Sequence, residues 1–168
     1  AIYDVGRLEN VHWNPWFCME EELFRWQMEN GEGFIFGRTD WQSVLNTFCY
    51  GYNIGYRFIG TERGVCNGSF LGIGADDCHV AIQIDQCAPF GLLITNGEFV
   101  SFRGPDPTMV VVSDTHTGSV RFVNCAYWGP NNQIAKVAGS GTVGFSDCTM
   151  QAWDRAREGR HAIQATGG

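Results

Sequence analysis

Residues 119–141, with the sequence SVRFVNCAYWGPNNQIAKVAGSG, contain the pattern that decides the fold. A short apolar strand ends at the polar residue Asn124, the large apolar Tyr127 follows, and a second alternating strand begins after a loop. This pattern recurs along most of the chain, which makes it a repeat of about 25 residues without a helical period. The repeats are 43–64, 65–90, 91–118, 119–141 and 142–168.

A polar residue stands at the same place in each repeat. These corner residues are Asn46, Asn67, Asn96, Asn124 and Asp147. Such side chains bond to backbone groups and tolerate turn geometry, and stacked coils bury apolar faces that one coil cannot bury alone. The repeats therefore predict an all-β fold, a right-handed parallel β-helix of about five to six coils with an asparagine ladder. Propeller blades need about 40–45 residues each, and a β-sandwich lacks periodic corner residues.

Residues 1–42 differ in character from the repeats, and we expect them to form an N-terminal capping segment. They carry eight acidic residues, three basic residues and four of the six tryptophans. Within them, MEEELFRWQMEN (19–30) predicts a helix, because Met19, Leu23 and Trp26 fall on one face. The cap and the coils are expected to form one structural domain.

The composition excludes several classes of protein. The chain has 168 residues, a net charge of −7 and 44% hydrophobic residues, which is enough for a core and excludes disorder. No apolar run approaches the roughly 18 residues of a membrane span, and without a basic cluster nucleic acid is not an expected partner. The seven cysteines lack metal-pair spacing. We interpret Cys49, Cys125 and Cys148 as stacked coil residues near equivalent corners rather than disulfide partners or ligands.

Several stretches resemble uncharacterised bacterial right-handed β-helix proteins of the pectate-lyase-like superfamily. They are YDVGRLENVHWNPW (3–16), FIFGRTDW (34–41), GLLITNGEF (91–99), VRFVNCAYWGP (120–130) and GTVGFSDCT (141–149). The resemblance implies a central or C-terminal section of a longer, carbohydrate-active protein that is secreted or on the cell surface. It also implies a polysaccharide or oligosaccharide as partner. A solenoid cut between coils exposes sheet edges, so self-association through the coil ends is expected.

Asp76 and Asp77, in the stretch GADDCHVAI (74–82), are the leading catalytic candidates. The stretch partly resembles polygalacturonase-type glycosidases, in which adjacent aspartates act as acid and base. Paired carboxylates carry out glycoside hydrolysis, and a neighbouring coil would supply a third acid. His79 would serve as a general base if it lies near the acids. The competing interpretation is a polar turn, with His79 an ordinary loop residue.

The candidates for substrate binding are aromatic or basic. They are His12, Trp13, Trp16, Arg57, Arg121 and Trp128. His12 and its two neighbouring tryptophans would either stack on sugar rings or pack as the cap of the first coil. Arg57 and Arg121 alternate with apolar strand neighbours and so point outward, where they would hold a uronate or form a solvated face.

These residues favour a glycoside hydrolase that acts on a plant or microbial polysaccharide by paired-carboxylate chemistry. The competing class is a non-catalytic glycan-binding or structural module. A polysaccharide lyase is a further alternative, and its candidate bases are Arg57, Arg103, Arg121 and Lys136. No loop spacing specifies a calcium site, so neither a metal ion nor a cofactor is predicted.

Overall fold

The computed structural model describes residues 4–15 and 20–167. Short strands dominate these ranges, together with a single helix, α1 (Glu21–Asn30). The strands are β1 (Arg7–Glu9), β2 (His12–Trp13), β3 (Glu32–Phe36), β4 (Thr39–Leu45), β5 (Phe48–Tyr50), β6 (Ile54–Phe58), β7 (Cys66–Leu71), β8 (Gly74–Cys78), β9 (Val80–Ile84), β10 (Leu92–Thr95), β11 (Glu98–Ser101), β12 (Thr108–Val112), β13 (Ser119–Val123), β14 (Ala126–Trp128), β15 (Gln133–Val137), β16 (Thr142–Ser146), β17 (Thr149–Met150) and β18 (Ile163–Ala165).

The described strands form three parallel sheets of six strands each. Sheet 1 contains β1, β4, β7, β10, β13 and β16; sheet 2 contains β2, β5, β8, β11, β14 and β17; sheet 3 contains β3, β6, β9, β12, β15 and β18. Every coil thus contributes one strand to each sheet, which confirms the predicted parallel β-helix. The segment expected to form a cap also contributes a strand to each sheet, and α1 lies between β2 and β3.

The core runs along the solenoid as rows of inward side chains in register. In sheet 1 one such row is Leu8, Val44, Phe70, Ile94, Phe122 and Phe145. Neighbouring rings in these rows contact each other: Phe122 stacks on Phe145 with ring centroids 5.0 Å apart. Alternation along each strand sends the intervening side chains outward, so each sheet also has an outer face.

The corner between sheets 1 and 2 is made by one residue per coil in the left-handed conformation. These residues are Asn10, Asn46, Gly72, Asn96, Asn124 and Asp147, with φ between 47° and 62°. Side-chain amides bridge successive coils where both corners are asparagine: the Asn46 Nδ2 donates to Asn10 Oδ1 at 2.8 Å, and Asn124 Nδ2 donates to Asn96 Oδ1 at 2.8 Å.

The prediction of Asn67 as a corner residue is wrong. Asn67 lies inside β7, and Gly72 occupies the corner of that coil with φ 62°. Glycine lacks a Cβ and adopts the left-handed conformation at no steric cost, so this corner does not need an asparagine. The ladder is interrupted there, because Gly72 has no side chain to pass the hydrogen bond on.

Helix α1 turns a different face to the sheets from the one expected. Leu23 and Trp26 are 50% and 61% exposed, and Met19 lies outside the described residues. Phe24 instead stacks on Tyr50 with ring centroids 6.0 Å apart, and Gln27 Nε2 donates to the carbonyl of Tyr50 at 3.1 Å. The helix is held at the turn after β5, so its packing face is set by that contact and not by its most apolar side chains.

The described cysteines are free thiols: Cys49, Cys66, Cys78, Cys87, Cys125 and Cys148. Cys125 and Cys148 occupy the same place in consecutive coils, because Ala126 pairs with Thr149. Within residues 4–15 and 20–167, no group of three or more His, Cys, Asp or Glu side chains is arranged to hold a metal ion. Over the same ranges the helix is neither long nor apolar enough to cross a membrane.

Candidate functional site

A cleft of about 460 Å³ lies on the outer face of sheet 2. The strands of this sheet supply outward side chains at every second position, and the asparagine corner forms one wall. The cleft is lined by His12, Asn14, Asn46, Thr47, Phe48, Gly72, Ile73, Gly74, Ala75, Asp76, Asn96, Glu98, Val100 and Trp128. It therefore brings together three of the residues singled out from the sequence, namely His12, Asp76 and Trp128.

Asp76 shares the cleft with a second carboxylate, Glu98, which the sequence reasoning did not name. Glu98 pairs with Gly74 across β11 and β8, so Asp76 lies two residues further along the adjacent strand. With strands about 4.8 Å apart and a rise of about 3.3 Å per residue, this diagonal separates the two Cα atoms by roughly 8 Å. Two carboxylates on one wall of a cleft can act as a proton donor and an acceptor.

The surroundings distinguish the two carboxylates. Partial burial raises the pKa of Asp76 above its ordinary value; a hydrogen bond with the Asp77 backbone opposes this, and the negative charges of Asp77 and Glu98 add to it. Glu98 is exposed and accepts a hydrogen bond from Trp128 Nε1 to its Oε1 at 2.9 Å. The two carboxyl groups thus differ: Asp76 is partly buried with a raised pKa, whereas Glu98 is exposed and hydrogen-bonded to the indole N–H.

Trp128 is fixed by this bond while its ring remains 44% exposed. On the opposite side of the cleft, His12 lies edge-on to Phe48 with ring centroids 6.0 Å apart. Aromatic rings with one polar contact and one free face suit ligands that are part apolar and part polar.

The alternation of β11 could have identified Glu98 as outward, but only the coil lengths place it beside Asp76.

Asp77 does not enter the cleft, because a β-bulge turns it the other way. Phe99 pairs with Ala75 and Ser101 pairs with Cys78, so β8 has one residue more than β11 over this interval. Asp77 lies in this interval with φ 54°, and its side chain is fully buried. Its Oδ1 accepts a hydrogen bond from Arg103 Nε at 2.7 Å. The adjacent aspartates therefore occupy different environments: Asp76 faces the cleft, and Asp77 is buried and ion-paired with Arg103.

His79 also lies away from the cleft, at the turn between sheets 2 and 3. Its Nδ1 lies 3.1 Å from Asn53 Oδ1, and the Gly104 backbone packs so closely on the ring that a Cβ there would approach it to 2.6 Å. Burial lowers the pKa of His79, against the attraction of Asp106. The structure does not bring His79 together with Asp76.

The basic candidates are spread over two other sheets. Arg57, on sheet 3, makes ion pairs with Glu32 at 2.5 Å and Asp85 at 2.8 Å. Arg121 lies exposed on sheet 1. Of the lyase candidates, Lys136 and Arg103 are also ion-paired, with Asp106 and Asp77 respectively. Among the residues that the structure describes, those that line the cleft include neither Lys nor Arg.

The remaining aromatic candidates are Trp13 and Trp16. Trp13 belongs to the inward row of sheet 2, and its ring centroid lies 6.0 Å from that of Phe34. Trp13 thus contacts the core residue Phe34 and is not among the residues that line the cleft, although it is 47% exposed. Trp16 lies outside the described residues.

Comparisons of the chain with models of known protein families, with curated proteins and with solved structures found no match.

Proposed function

We propose that this protein is a glycoside hydrolase that cleaves a neutral polysaccharide or oligosaccharide in the cleft on sheet 2. The observation that carries the proposal is the diagonal pair of Asp76 and Glu98 beside the exposed ring of Trp128. This pair replaces Asp76–Asp77 as the acid and base. Because the described residues that line the cleft include two carboxylates and neither Lys nor Arg, a neutral glycan fits it better than a uronate polymer.

In the proposed reaction Asp76 is the general acid. Partial burial raises its pKa, which favours the role of proton donor to the glycosidic oxygen. Glu98, as carboxylate, removes a proton from a water molecule that attacks the anomeric carbon from the opposite face. The bond from the anomeric carbon to the leaving oxygen breaks as the bond to water forms, and the product is a hemiacetal of inverted configuration. Inverting enzymes hold their carboxyl groups about 6.5–9.5 Å apart, which admits such a water, and side chains on Cα atoms roughly 8 Å apart can meet this spacing.

Two substitutions test the assignment. Asp76→Asn and Glu98→Gln remove the acid and the base with little change of volume, and each is expected to lower kcat by about 100-fold or more on a substrate that the unaltered protein cleaves. Reducing ends released from a panel of neutral polysaccharides measure the activity. Proton NMR of the first product shows the anomer, which is expected to be inverted.

Asp114→Asn is the matched control, because Asp114 is an exposed acid outside the cleft. It is expected to leave the rate unchanged. Full activity in both cleft variants would overturn the proposal, as would a loss in Asp114→Asn of the same size.

The second candidate function is a glycan-binding module without catalysis. It is favoured by Trp128, because an indole held in place by Glu98 with a free face is suited to sugar stacking. If the unaltered protein binds a polysaccharide, releases no reducing ends and loses binding in Trp128→Ala, this function replaces hydrolysis. A lyase has less support, since its candidate bases lie outside the cleft.

A further inference from the structure

Cys125 and Cys148 lie side by side in consecutive coils, at the turn between sheets 1 and 2. Strand β13 pairs with β16 just before them, and Ala126 pairs with Thr149 just after them, so the two coils are in register at this point. Parallel strands lie about 4.8 Å apart, and the Cα atoms of a disulfide are usually about 4.4–6.8 Å apart. The backbone therefore holds these two residues at a separation that a disulfide can span.

The two thiols also point in the same direction. Cys125 Sγ lies 3.5 Å from the carbonyl oxygen of Ile94, and Cys148 Sγ lies 3.6 Å from that of Phe122, which is the equivalent residue one coil later. Each sulfur also lies near the carbonyl oxygen two residues earlier in the chain, at 3.5 Å and 3.4 Å respectively. The sulfur atoms are therefore stacked along the solenoid, and rotation of one side chain about its Cα–Cβ bond turns one sulfur toward the other.

The two thiols differ in their access to solvent. Cys148 is half-buried, whereas Cys125 is 2% exposed. Burial raises the pKa of the Cys125 thiol to about 11; hydrogen bonds with the backbone of Gly97 and Val123 oppose this shift, and Cys148 adds to it. A dissolved reagent therefore meets Cys148 first, and Cys125 is placed to react second.

The cysteine pair joins the outermost described coil to its neighbour. Within the described ranges, strands β16, β17 and β18 each pair with one strand only, and their side chains are half-buried or exposed throughout. A coil with one neighbour and little buried surface opens more easily than a coil in the middle of the stack. A covalent link between these two coils restricts that opening.

We propose that Cys125 and Cys148 form a modification site at which a small-molecule disulfide oxidises both thiols, and that the new disulfide fastens the coil of β16–β18 to the coil of β13–β15. In the reduced protein the two residues pack as stacked free thiols. The same stacking makes them disulfide partners after oxidation. The site is separate from the Asp76–Glu98 cleft and does not depend on hydrolysis there.

The reaction is thiol–disulfide exchange with a reagent such as oxidised glutathione. The Cys148 thiolate attacks one sulfur of the reagent, a mixed disulfide forms, and one glutathione thiolate leaves. The Cys125 thiolate then attacks the Cys148 sulfur, the protein disulfide forms, and the second glutathione thiolate leaves. The two glutathione thiolates take up the two protons that the protein thiols lose. The protein thus loses two electrons, and the reagent gains them.

Peptide mapping of the folded protein tests the site. The protein is incubated with oxidised glutathione, its remaining thiols are blocked with N-ethylmaleimide, and it is digested with trypsin without reduction. Cleavage after Arg121, Lys136 and Arg155 places the two cysteines on separate peptides, 122–136 and 137–155, each with one cysteine. Mass spectrometry is expected to find these peptides joined, and dithiothreitol is expected to separate them.

Three variants check which thiols react. Cys148→Ser is expected to abolish the cross-link and leave Cys125 without glutathione, because Cys125 is shielded. Cys125→Ser is expected to stop at the mixed disulfide, with glutathione on Cys148. Cys18→Ser is the matched control, since Cys18 lies outside the described residues, and it is expected to form the same cross-link.

A second pair of neighbouring thiols, Cys49 and Cys78, tests the role of exposure. Burial raises the pKa of Cys49 well above its ordinary value, and a hydrogen bond with Cys78 adds to this. Both residues are fully buried, so they are expected to remain reduced in the folded protein.

Hydrogen exchange measures what the disulfide does to the outer coil. After oxidation the amides of β16 and β17 are expected to exchange about tenfold more slowly or less, whereas those of β7 are expected to be unchanged.

Several results would overturn the proposal. They are glutathione on Cys148 without a cross-link in the unaltered protein, a cross-link that forms only in urea, a Cys49–Cys78 or Cys18 disulfide that forms as fast, and unchanged exchange in β16 and β17 after oxidation. Asp76→Asn is expected to form the cross-link at the same rate, so failure of the proposed hydrolase activity and failure of this site are distinguishable.

Discussion

Replacing Asn67 by glycine tests whether this residue supports the β-bulge of β4, where Asp40 and Trp41 both face Asn67, or forms a corner. Glycine suits a left-handed corner, as Gly72 demonstrates, so a corner asparagine should tolerate the change. At the bulge the same change removes the acceptor of the Trp41 N–H and the donor to Asp40. The two roles therefore predict opposite outcomes for one substitution.

The structure sets the size of the effect. Loss of the Trp41 acceptor costs about 1–2 kcal/mol, loss of the partly exposed bond to Asp40 about 1 kcal/mol, and glycine inside a strand about 0.5–1 kcal/mol. Asn67→Gly is thus expected to lower the free energy of unfolding by about 3 kcal/mol. Asn46→Gly, at a true corner with φ 47°, loses one exposed bond to Asn10 and is expected to cost less than about 1 kcal/mol.

Urea unfolding followed by far-ultraviolet circular dichroism measures both variants. For a slope of about 2 kcal/mol per molar urea, the unfolding midpoint should fall by about 1.5 M in Asn67→Gly and by under about 0.5 M in Asn46→Gly. A cost for Asn46→Gly equal to or above that for Asn67→Gly would refute the assignment of Asn67 to the bulge.

Three further predictions concern the ion pairs and the sheet edges. Arg103→Ala is expected to cost about 2 kcal/mol in urea unfolding, because it strips the partner from the buried Asp77 carboxylate; if the double variant with Asp77→Asn recovers nothing, the pair is not the cause. Burial opposes ionisation of Asp106, but Lys136, Asn132 and Arg160 together lower its pKa to about 2 from the ordinary 3.8. A carboxyl group whose pKa is lower in the folded state stabilises the fold above its unfolded-state pKa, and this stabilisation is lost as pH falls through its folded-state pKa. The stability difference between the unaltered protein and Asp106→Asn should therefore shrink below about pH 4. A constant difference down to pH 2 would contradict this prediction. The outer strands β1–β3 and β16–β18 each have one paired neighbour, so concentration-dependent self-association is expected in sedimentation velocity; a constant sedimentation coefficient would exclude it.

Local sequence pattern was sufficient to predict the coils. The corner residues Asn46, Asn96, Asn124 and Asp147 all adopt the left-handed conformation that their short polar side chains favour. The repeat 65–90 contains both Asn67 and Gly72, and composition alone could not decide between them. Only the pairing of β7 with β4 and β10 shows that Asn67 is inside a strand.

The candidate site was predictable in part. His12, Asp76 and Trp128 were named from the sequence and line one cleft, whereas Glu98 was missed and Asp77 points elsewhere. Neighbouring residues of one strand normally alternate between faces, and here an added bulge residue decides which aspartate is exposed. Glu98 lies diagonally across from Asp76 only because the coils stack in one particular register.

The sequence by itself determined the parallel β-helix, since the apolar alternation and the short polar or glycine corner residues are local properties that recur along the coils. Tertiary structure decided the chemistry of each outer face. The register between coils places Glu98 diagonal to Asp76, and the bulges bury Asp77 and expose Trp41. Side chains from coils more than twenty residues apart meet only when loop lengths and bulges fix that register, and no local pattern encodes either.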